Sequence, residues 1–114
     1  MADCLFCKII EGEIPSTKVY ENKDVVAFED LNPQAPLHVL IVPRRHIATL
    51  NDLTHADDSL VGSMFRVAAD MAKQHGYDVR GYRTVFNCNR DAGQTVHHIH
   101  LHLLAGRGFT WPPG

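Results

Sequence analysis

Between His98 and Leu104 the chain alternates His98, Ile99, His100, Leu101, His102 and Leu103 before closing on Leu104. In a strand, residues two apart share a face. Three imidazoles then line one side, while Ile99, Leu101 and Leu103 turn to the other side and demand a core. A row of rings is costly to bury unless each has a hydrogen-bond partner or a metal. Three arrangements meet that condition. The first is a polar sheet face with incidental histidines. The second is a three-histidine centre holding a catalytic zinc. The third is a nucleophilic imidazole oriented by its neighbours. The segment Asp91-Ala92-Gly93-Gln94-Thr95-Val96 leads directly into this run. Gly93 lets the backbone approach a ligand, and Thr95 can donate to a phosphoryl oxygen. Asn87 adds an amide donor from the preceding segment. These groups equip the chain to hold an anion beside a histidine, which favours the third arrangement.

The remaining segments place this run in a small mixed fold. Apolar Phe6, Ile9 and Ile10 followed by Gly12 predict a short helix over Phe6–Glu11. Lys18–Glu21 and Val25–Glu29 flank the turn residues Asn22–Asp24 and predict two strands. His38–Val42, bounded by Pro36 and Pro43, predicts a buried strand. Thr54, with Asp57 three residues on, predicts the start of the one long helix. Leu60, Met64, Val67 and Met71 recur along it, Val61, Phe65, Ala68 and Ala72 widen the stripe, and Gly76 ends it. We read that stripe as core. Tyr82–Cys88 and His97–Leu104 predict two further strands. Strand and helix do not alternate regularly, so the expected class is α+β, with a mainly antiparallel sheet of five strands, one long and one short helix.

At 114 residues the chain fits a single domain over 1–114. A net charge of −2 gives no global attraction to nucleic acid or an anionic membrane. A polymeric nucleic-acid partner is not expected, and a small nucleotide stays open. The stretch Met1–Cys7 lacks a basic start and an apolar run, and Val39–Val42 is too short to span a bilayer, so the cytoplasm is the expected compartment. Three cysteines in that setting do not suggest a disulfide framework. The Cys4/Cys7 pair is either half of a tetrahedral metal site or two cysteines packed on a short helix. No cluster of carboxylates suits magnesium beside a phosphate, so no Mg²⁺ requirement is expected.

The run Gly93–Leu104 resembles the signature of the histidine-triad family, His-φ-His-φ-His-φ-φ with φ apolar. The resemblance extends through Phe6-Cys7-Lys8-Ile9-Ile10 with Ile14-Pro15, Ala27–Leu31, Pro33–His38, Val42–Ile47 and the closing Trp111-Pro112-Pro113-Gly114. The nearest branch is the histidine-triad nucleotide-binding group, whose members hydrolyse adenosine phosphoramidates as homodimers.

That resemblance implies roles for particular residues. His100 matches the nucleophile that attacks the α-phosphorus, expels an amine and forms a nucleotidyl-histidine that water opens. His102 matches the residue beside the phosphate, Thr95 the hydroxyl contacting it, where relatives commonly carry Ser, and His38 a supporting fourth histidine. Asp30 matches the carboxylate that accepts from the ribose hydroxyls. Phe6, Ile9, Phe28 and Leu31 match the apolar walls around the base, and Asn87, Gly93 and Gln94 fall among the nucleotide contacts. Relatives of bacterial type with the cysteine pair hold a structural zinc, which assigns Cys4, Cys7, His46 and His98 as ligands, with His97 a rival. In the implied homodimer the sheets join across the two chains and Trp111 reaches the partner's site. Cys88 receives no role, and His55 and His75 are expected in solvent.

The implied activity is hydrolysis of purine nucleoside 5′-phosphoramidates of the AMP or GMP type, extending to aminoacyl adenylates. One competitor is hydrolysis of dinucleoside polyphosphates, against which the Trp-Pro-Pro-Gly ending argues. Another is a zinc-stapled nucleotide-binding or interaction module with little turnover, against which the intact His100 argues.

Overall fold

In a computed structural model, which describes residues 3–114, the chain forms one five-stranded antiparallel sheet with a helix on each face. Met1 and Ala2, on which part of the leader reading falls, lie outside the described residues. The elements are α1 (Leu5–Ile10), β1 (Lys18–Glu21), β2 (Val25–Glu29), β3 (Leu37–Pro43), α2 (Asp58–Gln74), β4 (Tyr82–Val85) and β5 (Leu101–Ala105). Short 3₁₀ turns cover Leu50–Asp52, His55–Asp57 and Arg90–Ala92. The strand order is β1-β2-β3-β5-β4, and every neighbouring pair is antiparallel.

The period of two along β3 separates the layers. Leu37, Val39 and Ile41 pack beneath α2 with Met64, Met71, Leu101 and Leu103. Leu40 and Val42 turn to the opposite face and pack with Phe6, Ile9, Val26 and Phe28 around α1. Leu40 pairs with His102 and Val39 with Leu103, so the face carrying α1 also receives His38 and His102. The sheet thus spends one face on stability and the other on the site.

Both helices end on a glycine with positive φ, Gly12 at 82° and Gly76 at 80°. In each case the glycine N–H and the following N–H close onto the last turn, at Ile9 and Lys8 for α1 and at Lys73 and Ala72 for α2. A side chain at those φ values would be strained, which is why the sequence places glycine there.

Four expectations need correction. The histidine segment is not a strand throughout, because β5 begins only at Leu101. The β3–β5 register would set Pro43 opposite Ile99. Pro43 has no N–H to donate, and Ile99 N–H goes to the Ile47 carbonyl at 2.8 Å instead. The alternation of side chains survives: Ile99, Leu101 and Leu103 are in the core beneath α2. For the same reason β4 stops at Val85 rather than Cys88, since Val85 pairs with His102 and Asn87 would need a partner at His100, before β5 starts. Thr54 caps the 3₁₀ turn leading into α2, where Asp57 returns a carboxylate oxygen to the Thr54 N–H at 2.9 Å. Finally, the α2 stripe is only partly core. Met64, Val67, Ala68, Met71 and Ala72 are buried, whereas Phe65 is 44% exposed and edges against Phe86.

Met64 has no exposed surface. Met64→Ala is expected to lower the free energy of unfolding by about 2–5 kcal/mol, as a cavity in a close-packed layer does, and denaturant titration measures it.

Candidate functional site

The site lies on the α1 face, where the pieces of the histidine segment meet β3 and the first helix. His98 is fully buried and uses both ring nitrogens: Nε2–H donates to the Pro43 carbonyl at 2.7 Å, which leaves Nδ1 as an acceptor turned toward α1. The His98 carbonyl in turn accepts from His100 Nδ1–H at 2.9 Å. A carbonyl can only accept, so it fixes the His100 proton on Nδ1 and leaves Nε2 with its lone pair. The His100 ring is held edge-on by Phe6, with centroids 5.0 Å apart at 87°.

A second chain of bonds fixes the neighbour. The Gln34 backbone N–H can only donate, and it reaches His38 Nδ1 at 3.0 Å. The His38 proton therefore sits on Nε2, which is 2.9 Å from His102 Nδ1. His102 accepts there and carries its own proton on Nε2. His38 Nε2 also lies 3.4 Å from Asp30 Oδ2, while Asp30 Oδ1 accepts from the Asn32 N–H at 2.8 Å. With ring centroids 5.0 Å apart, His100 offers an electron pair beside a ring that offers a proton. The sum is an unprotonated ring nitrogen next to a hydrogen-bond donor.

Burial keeps all three rings neutral. It pushes His100 below the ordinary histidine value, against the pull of the His98 carbonyl and the Asp30 charge. It lowers His38 as well, opposed by Asp30. His102 falls furthest, to about 4, through burial first and then through the neighbouring His100 and His38, with Asp30 opposing.

A cavity of about 260 Å³ opens onto His100 and His102. Of the expected nucleotide contacts, Phe6, Ile9, Phe28, Asp30, Leu31 and Thr95 line it. His38 stands behind His102 rather than in the wall. Asn87, Gly93 and Gln94 are not in the lining. The Gln94 side chain is committed elsewhere: its Nε2 donates to the carbonyls of Ala48 and Val96, and its Oε1 accepts from the Asn89 N–H. It closes the loop that presents Thr95. Ile14, Pro15 and Ser16 line the cavity without having been singled out as contacts. The signal was available in β1, which pairs with β2 and so carries the residues just before it past Asp30.

A separate cluster sits where α1 meets the histidine segment. Cys4 Sγ lies 3.4 Å from His98 Nδ1, Cys7 Sγ lies 3.5 Å from both His98 Nδ1 and His46 Nδ1, and those two nitrogens are 3.2 Å apart. Bond lengths of about 2.3 Å to sulfur and 2.05 Å to nitrogen give a tetrahedron with S–N and N–N edges of about 3.5 and 3.3 Å. These four edges match that figure and all four ligand atoms lie within 4.8 Å of one another, so these residues can hold a metal ion. His98 meets a further requirement, since its second nitrogen is oriented by a carbonyl. Between the cysteines, burial and then Cys4 push the Cys7 thiol up to about 11.

His97 is exposed and is not among the four. The three triad histidines do not converge on one point; among the described residues only Asp30, His38 and His102 form another such group. There His38 Nε2 carries a proton, fixed by Gln34, so it has no pair for a cation. A three-histidine zinc centre is thereby set aside. Trp111 is 82% exposed and does not fold back onto its own domain.

Comparison with known proteins agrees with this geometry. Residues 3–108 match the family model described as Scavenger mRNA decapping enzyme C-term binding. A purine nucleoside phosphoramidase of Escherichia coli is 49% identical over 105 residues, covering 92% of this chain and 88% of the relative. A crystal structure of a HIT family hydrolase from Legionella pneumophila superposes with a TM-score of 0.96 at 54% identity, covering 98% of this chain and 100% of that one. A histidine triad protein from Clostridium difficile gives 0.93 at 47% identity, with 96% of each chain covered. The chain belongs to the histidine-triad family.

The depressed His102 value has a measurable consequence. An unfolded histidine titrates near about 6.5, so the unfolded chain takes up this proton first. The contribution of neutral His102 is complete above that value and is lost as pH falls toward about 4. Following the His102 ring by NMR is expected to give a midpoint near the lower value, with stability declining across the same window. A midpoint at the ordinary histidine value contradicts the buried, acceptor-type ring.

Proposed function

We propose that this chain hydrolyses the P–N bond of purine nucleoside 5′-phosphoramidates through a nucleotidyl-histidine intermediate on His100. The observation that carries the reading is the proton placement: His100 Nδ1–H is spent on the His98 carbonyl, so Nε2 is the free acceptor of a ring that lines the cavity. The phosphoramidase name of the Escherichia coli relative supports the same substrate class. In the first step His100 Nε2 forms a bond to the α-phosphorus as the P–N bond breaks, and the leaving amine takes a proton from solvent, which the water consumed in the second step returns. In the second, water adds to phosphorus and the N–P bond to His100 breaks, which releases the nucleoside monophosphate. Splitting the displacement in two lowers each barrier. His102 Nε2–H and the Thr95 hydroxyl stabilise charge on the phosphoryl oxygens, and His38 holds His102 in its donor form. Asp30 takes the ribose hydroxyls, and Phe6, Ile9, Phe28 and Leu31 enclose the base.

The metal site takes zinc in this reading, with Cys4, Cys7, His46 and His98 as ligands. Bound zinc supplies a structural crosslink between α1 and the triad rather than a reacting group. None of the three cysteines is in a disulfide, which fits a cytoplasmic setting, and among the described residues no helix is long and apolar enough to cross a membrane. Two copies pair through α2 and an edge strand, which covers Phe65 and unpaired strand edges. Phe109 is gripped by its own chain, between Arg107 at 4.3 Å and Arg83 at 5.1 Å, and in this reading Trp111, two residues beyond it, reaches the partner's site.

His100→Ala is expected to lower kcat on adenosine 5′-phosphoramidate on the order of 10⁴-fold while nucleotide binding persists. A variant retaining a tenth of wild-type kcat rules the nucleophile out. Elemental analysis is expected to find about one zinc per chain, lost in Cys4→Ser/Cys7→Ser, and retention of full zinc in that variant defeats the ligand set. Sedimentation at micromolar concentration is expected to show a dimer, and Trp111→Ala to reorder the preference among amine leaving groups with the dimer intact. A monomer, or an unchanged order, counts against the shared site.

A further inference from the structure

The four residues that can hold a metal are not equally reachable. His98 is fully buried, and its ring is closed in by the Pro43 carbonyl and by the edge of Phe6, with centroids 6.1 Å apart. Cys7 sits within α1 and lines neither of the two cavities that reach the cluster. Cys4 and His46 are half-buried, and both line one of those cavities. A metal site needs an entry path, and here the ion arrives from the side of Cys4 and His46.

The two cavities differ in what they offer a cation. One, of about 420 Å³, reaches His46 alone of the four and has Arg45, Asp52 and Asp57 in its wall. The Arg45 charge repels a cation, and both carboxylates are spent. Asp57 pairs with Arg45 and accepts from the Thr54 N–H, while Asp52 accepts from the N–H and the hydroxyl of Thr49, each at 3.1 Å. The other, of about 540 Å³, reaches both Cys4 and His46, and its wall includes Asp3 and His97. Both of these are exposed. Carboxylate and imidazole each ligate divalent cations. This cavity shares Leu5, Thr95 and Val96 with the catalytic one, and His100 and His102 are not in its wall. A cation can pass through it without crossing the nucleotide site.

We infer that Asp3 and His97 form a transit site for a divalent cation at the mouth of the Cys4, Cys7, His46 and His98 cluster, with His97 handing the ion on to Cys4 and His46. The inference rests on the metal reading above and adds the route by which the ion arrives and leaves. His97 stands outside the ligand set, yet it lines the cavity that two of those ligands line. Moving a hydrated dication against half-buried thiols costs desolvation. An imidazole at the mouth replaces part of the hydration shell before the ion gives it up. A group that holds the ion only in passage speeds entry and exit alike and leaves the equilibrium unchanged. That sets a transit residue apart from a resident ligand.

The test mixes the zinc-loaded full chain with excess Cd²⁺ and follows exchange by the thiolate-to-cadmium charge-transfer absorbance. Zinc affinity is measured beside it by competition with a coloured chelator. In His97→Ala the exchange is expected to slow about tenfold, which corresponds to about 1.4 kcal/mol of barrier, while zinc affinity and the unfolding temperature match wild type. His97→Asp restores a metal-binding side chain at the mouth and is expected to recover most of the rate. Asp3→Asn is expected to slow exchange about threefold at low ionic strength and less at high salt, as the loss of a steering charge does. A wild-type exchange rate in His97→Ala overturns the inference. A fall in zinc affinity as large as the fall in rate overturns it too, because His97 is then a resident ligand. Failure of His97→Asp to recover any rate does the same, since the ring would then act by packing. Absence of the cadmium band in the wild-type protein defeats the Cys4 and Cys7 ligand set itself, and is told apart by the lack of any exchange to follow.

Discussion

Two backbone groups decide what the triad can do. The His98 carbonyl can only accept, and the Gln34 N–H can only donate. The first places the His100 proton on Nδ1; the second, through His38, places the His102 proton on Nε2. Reverse either polarity and the neighbouring rings offer two donors or two lone pairs to the same ligand. Imidazole tautomers differ little in intrinsic energy, so fixed partners on rigid backbone are what make the choice firm.

Those partners are rigid because of how the sheet ends. β3 is buried along its whole length and pairs with β5 only as far as Leu101. Pro43 stops the ladder, and its free carbonyl takes the His98 ring instead. The result is a segment whose side chains keep strand alternation while its backbone carbonyls and N–H groups are released for other work. His98 joins the two halves of the site. Its ring belongs to the Cys4, Cys7 and His46 cluster, and its carbonyl belongs to His100. A cation held by the cluster would therefore bear on the position of the His100 ring.

Much of this was legible in the sequence because it is written in short-range periodicity. The alternation at His98–Leu103 gives the core face and the site face, and the flanking prolines bound β3. The glycines at 12 and 76 give both helix ends. What was not legible depends on pairing between distant segments. The loss of ladder at His98–His100 follows from Pro43 being set opposite Ile99, a register that no local pattern states. Gln94 looks like a ligand contact in sequence, yet its amide closes a loop, because Ala48 and Val96 lie within its reach only in the fold. Phe65 reads as core by helical spacing, yet it stays 44% exposed with its ring against Phe86. The roles of Asp30 and Phe28 came from family resemblance, since either would otherwise pass for an ordinary strand-end acid and a core aromatic.

The account stands on proton placement, and a long-range ¹H–¹⁵N spectrum of the imidazoles in ligand-free protein at neutral pH reads it directly. It predicts a protonated Nδ1 and bare Nε2 for His100, with the opposite tautomer for His102. A His100 ring protonated on Nε2 would have no lone pair facing the cavity and would contradict the nucleophile, and with it the mechanism built upon it.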